Sequence, residues 1–145
     1  MAITPNLHEL VRTKTGVAPV AIGTTGTGQV GKVIDRQGYN GVEFVIAVGT
    51  ITSTLAVYTV TVKEGDVTGT MTSVADADLI GTELLAGVAA GARSTGTTKQ
   101  TTRRIGYKGT KRYVQCGIKS TATAGTLVGI ACLLFDPMYA PTTNP

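Results

Sequence analysis

The stretch Val42-Glu-Phe-Val-Ile-Ala-Val48 decides the fold, because apolar side chains occupy every second position in it. A period of two is typical of a β-strand that buries one face. Residues 53–63 repeat the period, with an apolar face formed by Ala56, Tyr58, Val60 and Val62. Two strands of this kind, separated by short turn-forming stretches, favour paired β-sheets over helices.

The composition of the whole chain supports the same fold class. Its 145 residues include 19 glycines and no tryptophan, and threonine and valine are frequent. Threonine and valine suit a pleated, half-buried surface, and glycine supplies turns. A chain of this length is most simply one domain that is large enough to bury a core. We therefore predict an all-β, jelly-roll-like β-sandwich with extended N- and C-terminal arms.

The two ends of the chain differ from its middle. The first residues are polar and mixed, and the last ten contain three prolines, which prevent a regular hydrogen-bonded ladder. The sequence therefore predicts three parts, which are an N-terminal arm at 1–16, a β-sandwich domain at 17–135 and an extended C-terminal tail at 136–145.

Three segments carry further structural predictions. Val17–Ile22 contains Pro19 and is expected to be an edge strand, since proline cannot donate to a central ladder. Leu127–Phe135 is apolar throughout and is predicted to be a strand at the centre of the sandwich. Glu64-Gly-Asp66 is interpreted as a turn.

The segment Lys108-Gly-Thr-Lys111 separates two strand-like stretches, Arg103–Tyr107 and Tyr113–Lys119. A short glycine-containing connection between two strands is typical of a β-hairpin, so a hairpin turn is predicted here. Cys116 and Cys132 fall in strand contexts without the spacing of a metal site. We expect two buried, reduced thiols that act as small hydrophobic residues, although pairing is open if their strands are neighbours.

Charge is distributed unevenly along the chain. No aspartate or glutamate occurs between Leu84 and Phe135. Residues 1–83 carry five basic and eight acidic side chains, and residues 84–145 carry eight and one, so net charges of −3 and +7 make up the total of +4. Such an excess is costly in self-repulsion unless negative charge offsets it. Either a partner or the acidic half of the same chain must supply that charge.

Five basic residues with two interleaved tyrosines form the densest cluster of positive charge. Nucleic acid, a protein partner and solvent are all possible neighbours for such a cluster. We favour a protein partner, because arginine and tyrosine anchor protein interfaces and strand alternation divides the cluster between two faces. Two apolar residues between the tail prolines are predicted to act as further anchors. The predicted partner contacts are Arg103, Arg104, Lys108, Lys111, Arg112, Met138 and Tyr139.

No other group of residues predicts chemistry. Gly26-Thr-Gly-Gln-Val-Gly-Lys32 resembles a phosphate-binding loop, but Val33 replaces the magnesium-binding hydroxyl and no helix can follow, so a glycine-rich turn is favoured. His8 is the only histidine, which leaves too few ligands for zinc. The acidic group at Asp76, Asp78 and Glu83 lacks the spacing of a calcium loop. We expect no enzymatic activity, no cofactor and no metal.

Leader and membrane segments are not predicted either. Residues 1–5 have neither a basic start nor an apolar run. The longest apolar stretch has nine residues, about half of what a membrane span needs. The sequence favours synthesis in the cytosol and no membrane partner.

An ordered set of short motifs resembles a known family. The set comprises Val33-Ile-Asp-Arg-Gln-Gly-Tyr39, Val42-Glu-Phe-Val-Ile46, Val60-Thr-Val-Lys-Glu-Gly-Asp66, Ala75-Asp-Ala-Asp-Leu-Ile-Gly81, Arg104-Ile-Gly-Tyr-Lys-Gly-Thr-Lys-Arg-Tyr-Val114 and Pro137-Met-Tyr-Ala-Pro141. Together these motifs are similar to those of the cement, or decoration, proteins of tailed bacteriophage capsids.

The resemblance implies a function as well as a fold. It implies a structural virion protein, made in the bacterial host cytoplasm, that binds the exterior of the capsid and bridges major capsid protein subunits. It also implies a homodimer or homotrimer, with no catalytic residues. The alternative is a β-sandwich binding module for nucleic acid or a glycan. Nucleic acid is the less favoured partner, and the lack of tryptophan weakens the glycan variant.

Overall fold

The computed structural model describes residues 6–22, 28–51, 56–88, 100–121 and 126–139, which form two antiparallel sheets. Within these ranges, four-residue helices and one 3₁₀ turn (Asp76–Asp78) accompany the strands. In chain order the elements are α1 (Leu7–Leu10), β1 (Arg12–Ile22), β2 (Ile34–Asp35), β3 (Tyr39–Val48), β4 (Tyr58–Val67), β5 (Thr70–Ser73), β6 (Leu79–Ile80), α2 (Glu83–Ala86), β7 (Thr101–Tyr107), β8 (Tyr113–Ser120) and β9 (Thr126–Pro137).

The strands divide into a five-stranded and a four-stranded sheet. The five-stranded sheet has the order β1-β9-β3-β7-β6, and the four-stranded sheet has the order β2-β8-β4-β5. All strand pairs are antiparallel. The fold is therefore an antiparallel β-sandwich, as the composition and the period-two strands predicted.

The core lies between the sheets and is built from alternate residues of the long strands. Phe44 and Ile46 of β3 are fully buried, and they face the layer that contains Val60 and Val62 of β4. Each such side chain contributes about 1.5–3 kcal/mol when it is removed from water. The Tyr58 hydroxyl donates a buried hydrogen bond of 2.8 Å to the Thr126 hydroxyl, which links the two sheets. The alternation predicted for both strands is confirmed.

Strand β1 lies at the edge of its sheet, as Pro19 predicted, and its register against β9 shifts on either side of Val17. The strand begins at Arg12 rather than at Val17. Thr13 pairs with Leu133 and Thr15 pairs with Ala131. Residues 12–16 of the predicted arm therefore belong to the sheet, because threonine suits a strand even where hydrophobic alternation is missing. Residues 1–5 lie outside the described part of the chain.

Strand β9, predicted to lie at the centre of the sandwich, is an interior strand next to the edge strand β1, whereas β3 is the central strand of the five-stranded sheet. Strand β9 continues to Pro137, and the Met138 N–H then donates to the Gly38 carbonyl oxygen at 2.8 Å. The first residues of the predicted tail thus extend the sheet. A proline is tolerated at the end of a strand because the ladder needs no hydrogen bond from its backbone nitrogen there. Residues 140–145 lie outside the described ranges.

Two predicted turns are wrong. Strand β4 runs through Glu64–Asp66 and turns only at Thr68 and Gly69. Strands β7 and β8 do not form a hairpin, because β7 pairs with β3 and β6 whereas β8 pairs with β2 and β4. Their connection crosses from one sheet to the other. A short glycine-containing loop permits both a hairpin and a crossover, so only the pairing of distant strands distinguishes them.

The two cysteines are free and buried, and they lie in opposite sheets, on β8 and β9. Burial raises the pKa of the Cys132 thiol to about 12 and raises the pKa of Cys116 as well. Both groups therefore remain neutral thiols at physiological pH, and the expectation of buried, unpaired cysteines is confirmed.

The rate at which the two thiols are labelled should depend on whether the protein is unfolded and not on pH. At pH 8 we expect native protein to react with a maleimide far more slowly than denatured protein, with both thiols labelled only in denaturant. Mass spectrometry of the labelled protein measures this directly. Rapid labelling of either cysteine in folded protein would contradict the buried positions, and glutathione labelled under the same conditions is the control.

Candidate interaction surfaces

The described residues contain no group of three potential metal ligands among histidine, cysteine, aspartate and glutamate. His8 is exposed on α1, far along the chain from both cysteines. Within the same residues, no helix combines the length and the apolar character that a membrane crossing requires.

The glycine-rich segment that resembles a phosphate loop has a packing role. Gln29 pairs with Ile118 of β8 through hydrogen bonds of 2.7 and 3.0 Å. A Cβ at Gly31 would lie 1.9 Å from the Cys116 carbonyl oxygen, and one at Gly28 would lie 2.4 Å from the Ile118 oxygen. The segment is followed by β2 rather than by a helix. Close approach to β8 requires these glycines, and the phosphate-loop geometry is absent in the part of this segment from Gly28 onward.

Several connections meet at one end of the sandwich, which we call the loop end. It comprises residues 35–40, 64–70, 76–78, 107–113 and 136–139. These segments come together because Tyr107 pairs with both Val42 and Leu79, and Gly65 pairs with Tyr113. Three of the five predicted basic contacts and both predicted apolar anchors lie at this end.

Arg36 organises the loop end, although sequence analysis did not single it out. Its Nε donates to the Lys111 carbonyl oxygen at 2.6 Å, and one terminal nitrogen donates to the Gly109 oxygen at 2.8 Å. The other terminal nitrogen donates to the carbonyl oxygens of Asn40 and Tyr39 at 3.1 and 3.4 Å. Arg36 thus joins the β2–β3 turn to the crossover between β7 and β8.

The Tyr107 side chain packs under Arg36 and forms hydrogen bonds with its neighbours. The Arg36 guanidinium lies 5.3 Å from the centre of its ring, a cation–π distance. The Tyr107 hydroxyl donates a short hydrogen bond to Glu64 and accepts one of 3.0 Å from the Lys111 N–H. Desolvation, reinforced by Glu64, raises the pKa of Tyr107, so the phenol stays protonated and keeps donating.

The basic cluster is largely offset by the acidic half of the same chain. Lys111 Nζ lies 2.5 Å from Asp66, and Arg112 contacts both carboxylate oxygens of Asp35 at 3.0 and 2.6 Å. The hydrogen bond from Arg112 lowers the pKa of Asp35, so this pair stays charged at neutral pH. At these residues the offsetting negative charge therefore comes from the acidic half of the same chain, which is one of the two sources considered from the sequence.

The loop end as a whole is not basic. Its defined segments contain four basic residues against six acidic ones, which gives a net charge of −2. The basic residues are Arg36, Lys108, Lys111 and Arg112, and the acidic residues are Asp35, Glu64, Asp66, Asp76, Asp78 and Asp136. A surface of mixed charge does not provide the uniform positive potential that binds a phosphate backbone.

The remaining predicted contacts lie apart from one another. Arg103 and Arg104 occupy successive positions on β7 and point to opposite faces, as strand alternation predicted. Arg104 lies 3.7 Å from Glu43, whose pKa is raised by desolvation and lowered by Arg104 to a smaller extent. Arg103 and Lys108 have no acidic partner within the described residues. The structure therefore does not bring the five basic residues into one patch.

Met138 and Tyr139 are exposed, with 65% and 86% of their surfaces accessible. Met138 lies beside Arg112 and the 36–40 turn, along a shallow groove of about 320 Å³. These two residues are available to a partner, and the contact roles predicted for them and for the basic residues stay predictions.

The outer face of the five-stranded sheet is a candidate site that was not predicted from the sequence. We define the outer strip as the small and apolar side of β3 and β9 that faces away from the core, formed by Val45, Ala47, Leu127, Gly129, Ala131 and Leu133. Leu127 is 60% exposed, and Ala47 and Ala131 are also exposed. No second layer covers this strip within the described chain.

The outer strip has a regular cross-strand geometry. Ala131 pairs with Thr15 on one side and with Val45 on the other, and Val45 in turn pairs with Arg104. A shallow groove of about 570 Å³ runs along this face beside β1. The signal was present in the sequence, because a strand that is apolar at every position is typical of burial on both faces. The structure buries only one face of β9.

The fold and its surfaces define an all-β, two-sheet antiparallel β-sandwich whose candidate sites are surfaces for contact. No protein-family model matches the sequence, and no curated protein matches it. The structure is similar to the SPBc2 prophage-derived protein YomS, with a TM-score of 0.51 and 12% identity over 86% of this chain and 91% of YomS. At this identity the likeness shows the fold alone.

Two further solved structures match less well. One is from the capsid of Ralstonia phage GP4, with a TM-score of 0.46 and 17% identity over 99% of this chain and 92% of that chain. The other is the CBM22-1 xylan-binding domain of Paenibacillus barcinonensis Xyn10C, with a TM-score of 0.41 and 13% identity over 86% of this chain and 96% of that domain.

Proposed function

We propose that this protein is a non-enzymatic structural virion protein that binds the exterior of a tailed-phage capsid and bridges major capsid protein subunits. The observation that carries the proposal is the uncovered outer strip on β3 and β9. Strand β9 of the strip is apolar on both faces, and the residues that the structure describes cover only one of them. A protein partner on the second face would complete the burial that such a strand favours.

The size of the outer strip is consistent with the centre of an interface. From Leu127 to Leu133 it is about 20 Å long, and its two strands, each about 5 Å wide, give it a width of about 10 Å. The resulting area of about 200 Å² is roughly a quarter of what each partner buries in a standard interface. Polar neighbours such as Thr13, Thr15 and Arg104 would form the rim around it.

Attachment to several sites of the capsid lattice would add to the affinity that a single interface provides. A homodimer or homotrimer, which the sequence resemblance implies, would engage two or three capsid sites at once and gain from effective concentration. The ordered motifs at residues 33–39, 42–46, 60–66, 75–81, 104–114 and 137–141 support the assignment to capsids in particular. The mixed charge of the loop end favours a protein partner over nucleic acid.

The composition of purified virions tests this function. Particles of the phage or induced prophage that encodes the chain should contain it at a fixed ratio to the major capsid protein, measured by quantitative mass spectrometry. Mild denaturant should remove it before the shell opens, because it lies outside the shell lattice. Its absence from assembled particles would overturn the proposal, and the major tail protein serves as the internal standard.

A further inference from the structure

A notch opens on the outer face of the four-stranded sheet, on the side of the sandwich opposite the outer strip. At its centre Thr61 of β4 pairs with Gly117 of β8. The segment from Gly28 to Gly31 forms one wall, and the notch, which is open to solvent, has a volume of about 120 Å³. A water needs only about 10–15 Å³ of such space, so the notch is large enough for a small polyatomic group.

Gly117 forms the floor of the notch. A Cβ at this position would lie 3.0 Å from the Gln29 carbonyl oxygen, 3.6 Å from the Thr61 hydroxyl and 3.7 Å from the Gly31 nitrogen. The missing side chain therefore creates the space, and polar groups from three segments border it. Within the described chain the Gly31 N–H has no hydrogen-bond acceptor, so it is available to a ligand.

Two lysines line the notch from opposite ends. Lys63 pairs with Gln115, and Lys119 pairs with Thr59, so they flank the Thr61–Gly117 pair diagonally. Four residues of strand separate them, about 13 Å, a gap that two long and flexible side chains can close. No aspartate or glutamate is among the lining residues. The two ammonium groups, the Thr61 hydroxyl and the Gly31 N–H are all donors.

We propose that this notch binds a small oxyanion, the carboxylate or phosphate group of a ligand. Charge-assisted hydrogen bonds from lysine and from a backbone N–H are the interactions that hold such groups. Gln115 is positioned by its own hydrogen bond of 2.6 Å to the Gly31 carbonyl oxygen, which fixes the wall of the notch. Val30 is 79% exposed at the rim and offers an apolar contact for the remainder of the ligand.

This site is independent of capsid attachment. The notch and the outer strip lie on opposite sheets, so a molecule docked through the strip would present the notch to solvent. The proposal therefore concerns a second ligand of the free or attached protein, and it can fail while the proposed function holds.

Anion titration followed by NMR tests the notch. Sodium phosphate and sodium acetate are added separately to the full chain at constant ionic strength, with sodium chloride as the reference. We expect saturable shifts of the Gly31, Thr61 and Gly117 amides with at least one of the two anions. A stronger response to phosphate assigns a phosphate group as the ligand, and an equal or stronger response to acetate assigns a carboxylate.

Matched lysine variants separate the notch from general charge effects. Lys63→Gln and Lys119→Gln should each weaken the apparent affinity about tenfold, as expected for the loss of a hydrogen bond to a charged group. Lys108→Gln, at the loop end, removes the same charge elsewhere and should leave the affinity unchanged. Shifts no larger than those with chloride, or equal losses in all three variants, would overturn the proposal.

Discussion

Glutamate in place of Ala131 is expected to reduce attachment of this protein to capsids by at least about 100-fold, equivalent to about 2.7 kcal/mol of binding free energy. Ala131 is exposed at the centre of the outer strip, between Thr15 and Val45. A carboxylate there would be buried without a partner when the strip is covered, which costs several kcal/mol. Co-sedimentation of purified protein with capsids that lack it measures the change in affinity.

The Ala131→Glu experiment has a matched control on the other sheet. Thr59→Glu introduces the same charge on the outer face of β4, where the strip does not extend. Both variants should remain folded, because the substituted positions lie on outer faces, and circular dichroism with urea titration verifies this. If a folded Ala131→Glu protein attaches to capsids like the wild type, the strip is not the docking surface. Virion composition would still test the capsid function itself.

Replacement of Arg36 by glutamine is expected to lower the free energy of unfolding by about 2–4 kcal/mol. The guanidinium donates to four carbonyl oxygens, two at the start of β3 and two in the β7–β8 connection, and it lies over the Tyr107 ring. A shorter, neutral amide cannot reach them, so part-buried carbonyl groups lose their donors. Urea unfolding followed by tyrosine fluorescence measures the change.

Two further variants show whether the charge of Arg36 or its planar hydrogen-bonding group stabilises the protein. Arg36→Lys keeps the charge but loses the planar fork, so it should recover only a small part of the lost stability. Arg112→Gln breaks an exposed ion pair and should change the unfolding midpoint little, since exposed pairs contribute weakly. Equal and small effects at both arginines would show that Arg36 does not hold the crossover in place.

The basic cluster illustrates where sequence analysis succeeds and where it stops. The uneven distribution of charge was plain in the sequence, and so was the need for an offsetting negative charge. The sequence did not show which acidic residues supply that charge, because Lys111 and Asp66 are 45 residues apart and Arg112 and Asp35 are 77 residues apart. Only the packing of the two halves against each other brings these side chains within contact distance.

The connection between β7 and β8 shows the same limit in the backbone. Residues 108–111 have the composition of a hairpin turn, and the flanking strands have suitable lengths. Arg36, 75 residues before Lys111, holds the segment as a crossover between sheets. A local pattern cannot contain that information, since both connections require the same turn-forming residues.

By itself, the sequence determined the all-β class, the buried faces of β3 and β4, the edge position of β1 and the buried cysteines. These follow from local chemistry, namely the period-two alternation of apolar side chains and the missing N–H of Pro19. The tertiary structure decided which sheet each strand joined, which charges were paired, and that the described residues leave one face of β9 uncovered. Those features depend on contacts between residues far apart in the chain, which no local pattern of side chains specifies.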